Sequence, residues 1–229
     1  MATDFVLKKN FTKIFISGLI CLFAFIIGYV CVLIRTVTLP INKSFYFLVS
    51  ASTHIQASTH FVSMNGGAGY LLNENDRTYV VYAVYLEKQH AARVQANLSD
   101  KTELKEYTVD NIYLRNKKAW PIVQDAFNVF YGWLTILEYE INRLAKGCTQ
   151  QSSKQILQTL QRQMEYSAKK NEKIFPVFSQ LCTKGEQFLL EITQGIIYAT
   201  DLRYLLCELC IAYCNFANCV EKGTVIKYF

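Results

Sequence analysis

The sequence holds only 3 prolines, 3 histidines and 2 tryptophans in 229 residues. The histidines, His54, His60 and His90, stand at no metal-ligand spacing with one another or with a carboxylate, which excludes the helical H-E-x-x-H arrangement. The one glycine cluster, "NGGAG", lacks the Lys and Ser or Thr of a phosphate-binding loop, so it reads as a helix stop. No local Ser, His and Asp arrangement stands out, although triads need not be local. Charge is sparse as well: 24 Lys and Arg against 18 Asp and Glu give +6, with no basic block, and a nucleic-acid footprint is not indicated. No enzyme chemistry, cofactor or metal is expected from this inventory.

What the chain does have is apolar surface. From Ile14 to Ile34 no charge interrupts the sequence, and about 20 apolar residues suffice to cross a bilayer. A signal peptide would be shorter and end in small residues at a cleavage site, whereas this run ends "LIRTVTLP". An uncleaved single-pass transmembrane anchor is therefore expected. Lys8, Lys9 and Lys13 before it, against Arg35 and Lys43 after it, put the N-terminus in the cytoplasm and the bulk of the chain outside the plasma membrane. The second apolar stretch, Phe188 to Val220, contains Glu191, Asp201, Arg203 and Glu208 and reads as a water-soluble helix.

The chain divides into a tail and anchor (residues 1–35), a linker (36–44), a mixed domain (45–116) and a helical domain (117–229). In the mixed domain "FYFLVSAS" has strand composition. Ser52 or Thr53 suits a helix cap, and Gly66 and Gly67 end that helix. "GYLLNENDRTYVVYAVYL" is a pair of strands around a polar turn, "EKQHAARVQANL" a second helix and "EYTVDNIYL" a last strand. The order βαββαβ folds as a four-stranded antiparallel sheet with both helices on one face and the other face open. In the helical domain Val123, Phe127, Phe130, Leu134, Leu137, Ile141 and Leu144 alternate at four- and three-residue intervals, a heptad seam. A polar helix follows from about Gln150 to Lys170, and a long seam from Leu189 to Val220, giving an all-α bundle. The fold class expected is α+β with an N-terminal membrane helix. Of the 8 cysteines, Cys207, Cys210 and Cys214 share one helix stripe and read as small buried apolar residues.

Residues 45 to 114 resemble the sporulation-related repeat (SPOR) domain. "FYFLVSAS" stands in the place of that family's first strand, "GGAGY" matches its glycine-then-tyrosine entry to the second, and "YVVYAVYLEKQHAARVQANL" follows its third strand and second helix. The resemblance implies a bacterial cell-envelope protein that binds peptidoglycan glycan strands and so localises to the septum in division or sporulation. It places the glycan on the open sheet face, where alternation puts Tyr46, Leu48, Ser50, Val80, Tyr82 and Val84. Leu48 and Val80 depart from the family's common glutamine and arginine, which thins the polar part of such a site. Two other readings stand beside this one. In the first, a membrane-anchored scaffold recruits a protein partner through its helical bundle without binding glycan; in the second, the domain senses a small ligand.

Overall fold

The computed structural model describes residues 21–29, 37–51, 55–98, 102–114 and 117–222. A first helix, α1, covers residues 21–29. The other elements, in chain order, are β1 (Val37–Ala51), α2 (Ile55–Met64), β2 (Tyr70–Glu74), β3 (Arg77–Tyr85), α3 (Lys88–Ala96), β4 (Glu103–Leu114), α4 (Trp120–Ala145), α5 (Gln150–Asn171), α6 (Pro176–Gln194) and α7 (Ala199–Glu221).

The expected membrane anchor requires correction. Of the run Ile14 to Ile34, α1 is the part that is described. The rest of Ile14 to Ile34 lies outside the described residues, and among those described no helix is long and apolar enough to cross a membrane. The single-pass topology and the plasma-membrane location drawn from it are withdrawn. The expected linker at residues 36–44 is also replaced, because β1 already begins at Val37 and pairs with β4. Pro40 is tolerated there because the register shifts between Pro40 and Lys43, and Asn42 takes a left-handed φ of 48°.

The sheet follows the βαββαβ expectation, with all-antiparallel order β2-β3-β1-β4. β2 and β3 meet at a two-residue turn in which Asn75 (φ 47°) and Asp76 (φ 60°) both take positive φ, the conformation tight hairpins require. Gly66, at φ 81°, stops α2, while the caps expected at Ser52 or Thr53 lie outside the described residues. α2 and α3 cover one face of the sheet, burying Val62 and Ala91 with Leu48, Val80 and Ala83, apart from the main core. The sheet curls until its two edges meet at one end. Lys105 of β4 pairs with Glu74 of β2, and the Tyr107 hydroxyl donates to the same carboxylate at 3.2 Å.

The face expected to be open is covered by the chain itself. α7 crosses β4, β3 and β2, and α4 lies against β1. Phe45 and Phe47 of β1 are fully buried there, and Phe45 meets the Tyr213 ring edge-on at 5.3 Å. One apolar core thus runs from the sheet through α4 and α7 to the α5–α6 hairpin, in helix, sheet, helix, helix layers. The heptad seam expected on α4 lines this core. The long seam after Leu189 is two helices, not one. Gly195 ends α6 in extended backbone, and Gln150 at the start of α5 clamps the turn, accepting from the Ile197 N–H and donating to its carbonyl at 2.9 Å each.

Candidate binding groove

The six residues expected to face a glycan do not share one surface. Leu48, Val80 and Val84 are buried, while Tyr46, Ser50 and Tyr82 are half-buried. Leu48 and Val80 lie under α2 and α3, whereas Val84 joins the core on the opposite face. The cause is a β-bulge. Leu48 pairs with Ala83 but Val49 pairs with Val81, which leaves Tyr82 as the extra residue of β3. Simple alternation therefore fails across it: Tyr79, Val81 and Val84 lie on the bundle side, and Val80 and Ala83 on the other. The ring of Tyr46 lies 5.9 Å from the Lys88 ammonium of the α3 side, consistent with that assignment.

Residues that carry chemistry elsewhere are engaged in packing. Cys207 and Cys210 are buried on α7, and burial raises both thiols above their ordinary range; Cys214 beside them is pushed up to about 11. Such thiols stay protonated, the reverse of a nucleophilic thiolate. Among the described residues no three His, Cys, Asp or Glu side chains are grouped to hold a metal ion. His90 packs on Tyr85 at 4.9 Å between centroids, and His60 is exposed. His54 lies outside the described residues.

A concave feature lies elsewhere, between α4 and α5. These two helices touch little, because α5 packs chiefly on α6, and the gap between them is a groove of about 650 Å³. Its α4 wall is Ile122, Ala126, Val129, Trp133 and Ile136. Those positions again alternate at four and three residues, a second apolar stripe beside the seam that faces the core. Phe178 of α6 forms the floor, stacked on Trp133 with rings 5° from parallel and centroids 6.0 Å apart. The α5 wall is polar: Thr159, Arg162, Gln163, Tyr166 and Lys170.

Two details of the groove stand out physically. Gly132 lies in the middle of α4, where glycine costs about 1 kcal/mol relative to alanine. A Cβ added to it would meet no atom within 4 Å, so the space beside it is open groove. On the opposite rim, Lys170 reaches Asp125 at 3.9 Å, with both side chains well exposed, and Arg162 has no carboxylate partner among the described residues. The sequence signal for this site was present, since the second heptad stripe of α4 can be read directly. It was missed because the first seam already accounted for a buried helix.

No protein-family model, curated protein or solved structure matches this chain.

Proposed function

We propose that the protein is a non-catalytic binding module that recruits a protein partner by seating one amphipathic helix in the α4–α5 groove. The observation that supports this is the second apolar heptad stripe of α4, half-covered by α6 and otherwise facing a gap. Such a stripe packs against a facing helix, and α5 offers it polar side chains instead. Helix-in-groove binding of this type reads the partner at i, i+3, i+4 and i+7 anchors. The wall from Ile122 to Ile136 is roughly 21 Å long, enough for three to four helical turns of a partner.

The test uses the full chain and a fluorescent synthetic helix of about 14 residues with leucine at its heptad positions. Anisotropy should report saturable binding. Gly132→Phe, whose Cβ would meet open space and whose ring would occupy the groove, should abolish that binding while leaving the thermal melt in place. Binding that is absent, or indifferent to Gly132→Phe, refutes the reading.

Peptidoglycan binding at Tyr46, Leu48, Ser50, Val80, Tyr82 and Val84 is a second reading, favoured by the strand order alone. It requires the helices to leave the sheet, because three of those six side chains are buried. Retention of the full chain on purified peptidoglycan, lost in the Tyr46→Ala, Tyr82→Ala double variant, would favour it over the groove.

A further inference from the structure

Resting on the groove reading, we infer that the seated helix is acidic along the flank that faces α5 and carries a small residue where it crosses Gly132. Arg162, Tyr166 and Lys170 stand four residues apart on one row of α5, so the two cations are roughly 12 Å apart along the rim. They present two positive charges against the single lining carboxylate, Asp125. The Asp125–Lys170 pair is 3.9 Å long with exposed partners, weak enough for an incoming carboxylate to replace it. Tyr166, 68% exposed between the cations, offers an apolar ring to the stem of such an acid. At Gly132 the missing side chain lets a backbone approach closely, which a small residue on the partner would exploit.

Neither residues 1–20 nor residues 223–229 match this flank. Residues 1–20 carry Lys8, Lys9 and Lys13 against Asp4, and residues 223–229 carry Lys227 alone, so both are of the wrong sign. A second copy docking through α2, which exposes Phe61 and Met64, brings no carboxylate either, because α2 is uncharged. The charge of the rim thus favours an acidic amphipathic helix of another protein as the occupant.

Two synthetic helices decide the matter, identical at their leucine positions and at an alanine placed over Gly132, but flanked by glutamates in one and lysines in the other. The glutamate helix should bind the full chain about tenfold more tightly at low salt, the scale of two exposed charge pairs. The preference should shrink at about 0.5 M salt, where the Debye length is only a few ångströms. Arg162→Glu should reverse it. Equal affinity for the two helices, with Arg162→Glu without effect, overturns the acidic assignment while the Gly132→Phe result still upholds the groove. Binding of neither helix overturns both, as does oleate binding in their place, which would make the occupant a lipid-like amphiphile.

Discussion

Replacing Phe45 by alanine tests whether the sheet stands alone or shares its core with the bundle. Phe45 is fully buried, and its ring meets Tyr213 of α7 at 5.3 Å; Tyr213 in turn meets Phe127 at 5.2 Å and Phe130 at 5.3 Å on α4. Truncating a buried phenylalanine in such a setting costs about 3–5 kcal/mol, from lost burial and the cavity left behind. At about 2–4 °C per kcal/mol for a chain of this size, the melting temperature should fall by roughly 6–20 °C. Tyr213→Ala should cost a similar amount. The double variant should be less destabilised than the sum by about 0.5–1.5 kcal/mol, because each single change already removes the shared ring contact. The assay is urea unfolding of the full chain, followed by fluorescence and by far-ultraviolet circular dichroism. Both probes should give one coincident transition, and a chain ended at Leu114 should give none, since Phe45, Phe47 and Val81 would face water. A cooperative melt from that shortened chain, or two separate transitions of which Phe45→Ala moves one and Tyr213→Ala the other, would refute the shared core.

Gly132→Ala should raise stability by about 0.5–1 kcal/mol, seen as a higher urea midpoint, because the added methyl meets open space in mid-helix. Gly67→Ala should lower it by about 1–3 kcal/mol: its Cβ would collide with Val62 Cγ1 and lie 3.0 Å from the Val62 carbonyl, and the latter is backbone that cannot turn aside. Glu138, half-buried and accepting from the Leu86 N–H at 3.2 Å, has its pKa raised by burial. A raised carboxylate opposes folding above its folded pKa, and that penalty is relieved as pH falls through the folded value towards the ordinary 4.5. Stability measured against pH should therefore rise on mild acidification in the wild type, and Glu138→Gln should flatten that rise. Glu74 runs the other way. The Lys105 hydrogen bond lowers its pKa, so its contribution is complete above 4.5 and is lost as pH falls through the lowered value; Glu74→Gln should remove that acid-side loss.

Strand and helix order could be read in the sequence because each element carried a local signal. The β-branched runs, Gly66 after α2 and the "NENDR" turn all act over a few residues, and the sheet followed. Side-chain direction could not be read through one residue. Nothing in "RTYVVYAVY" marks Tyr82 as a bulge, since the bulge arises from pairing with β1; the expected faces are inverted at Tyr79, Val80 and Val81 before it and hold at Ala83 and Val84 after it. Leu48 and Val80 were placed on an open face because a single strand's alternation cannot say what lies over each side. The break at Gly195 was hidden for a similar reason. Apolar spacing ran through it, with Ile196 in the seam, yet Ile196 is 64% exposed and the neighbouring Ile197 takes the buried place. A heptad count registers period and not the direction in which a chain turns.

The covering of the sheet also decides where binding can be sought. With α2 and α3 on one face and α4 and α7 on the other, most side chains of β1 and β3 are spent on packing, and the groove proposed as the binding site lies outward, in the helical layers. α4 sits in the inner of those layers and needs apolar residues on two sides: towards α7 and β1, and towards whatever lies outside. Where α6 lies outside, Trp133 and Phe178 stack and the second stripe is accounted for. Where α5 stands off, Ile122 and Val129 are left half-buried on the same face as Gly132, the residue that weakens the helix and beside which an added Cβ would meet no atom. Intramolecular packing gives no reason for a glycine there, since alanine fits and would stabilise the helix. Close passage of a second backbone does give one, because a missing Cβ is what allows two helices to approach at that point.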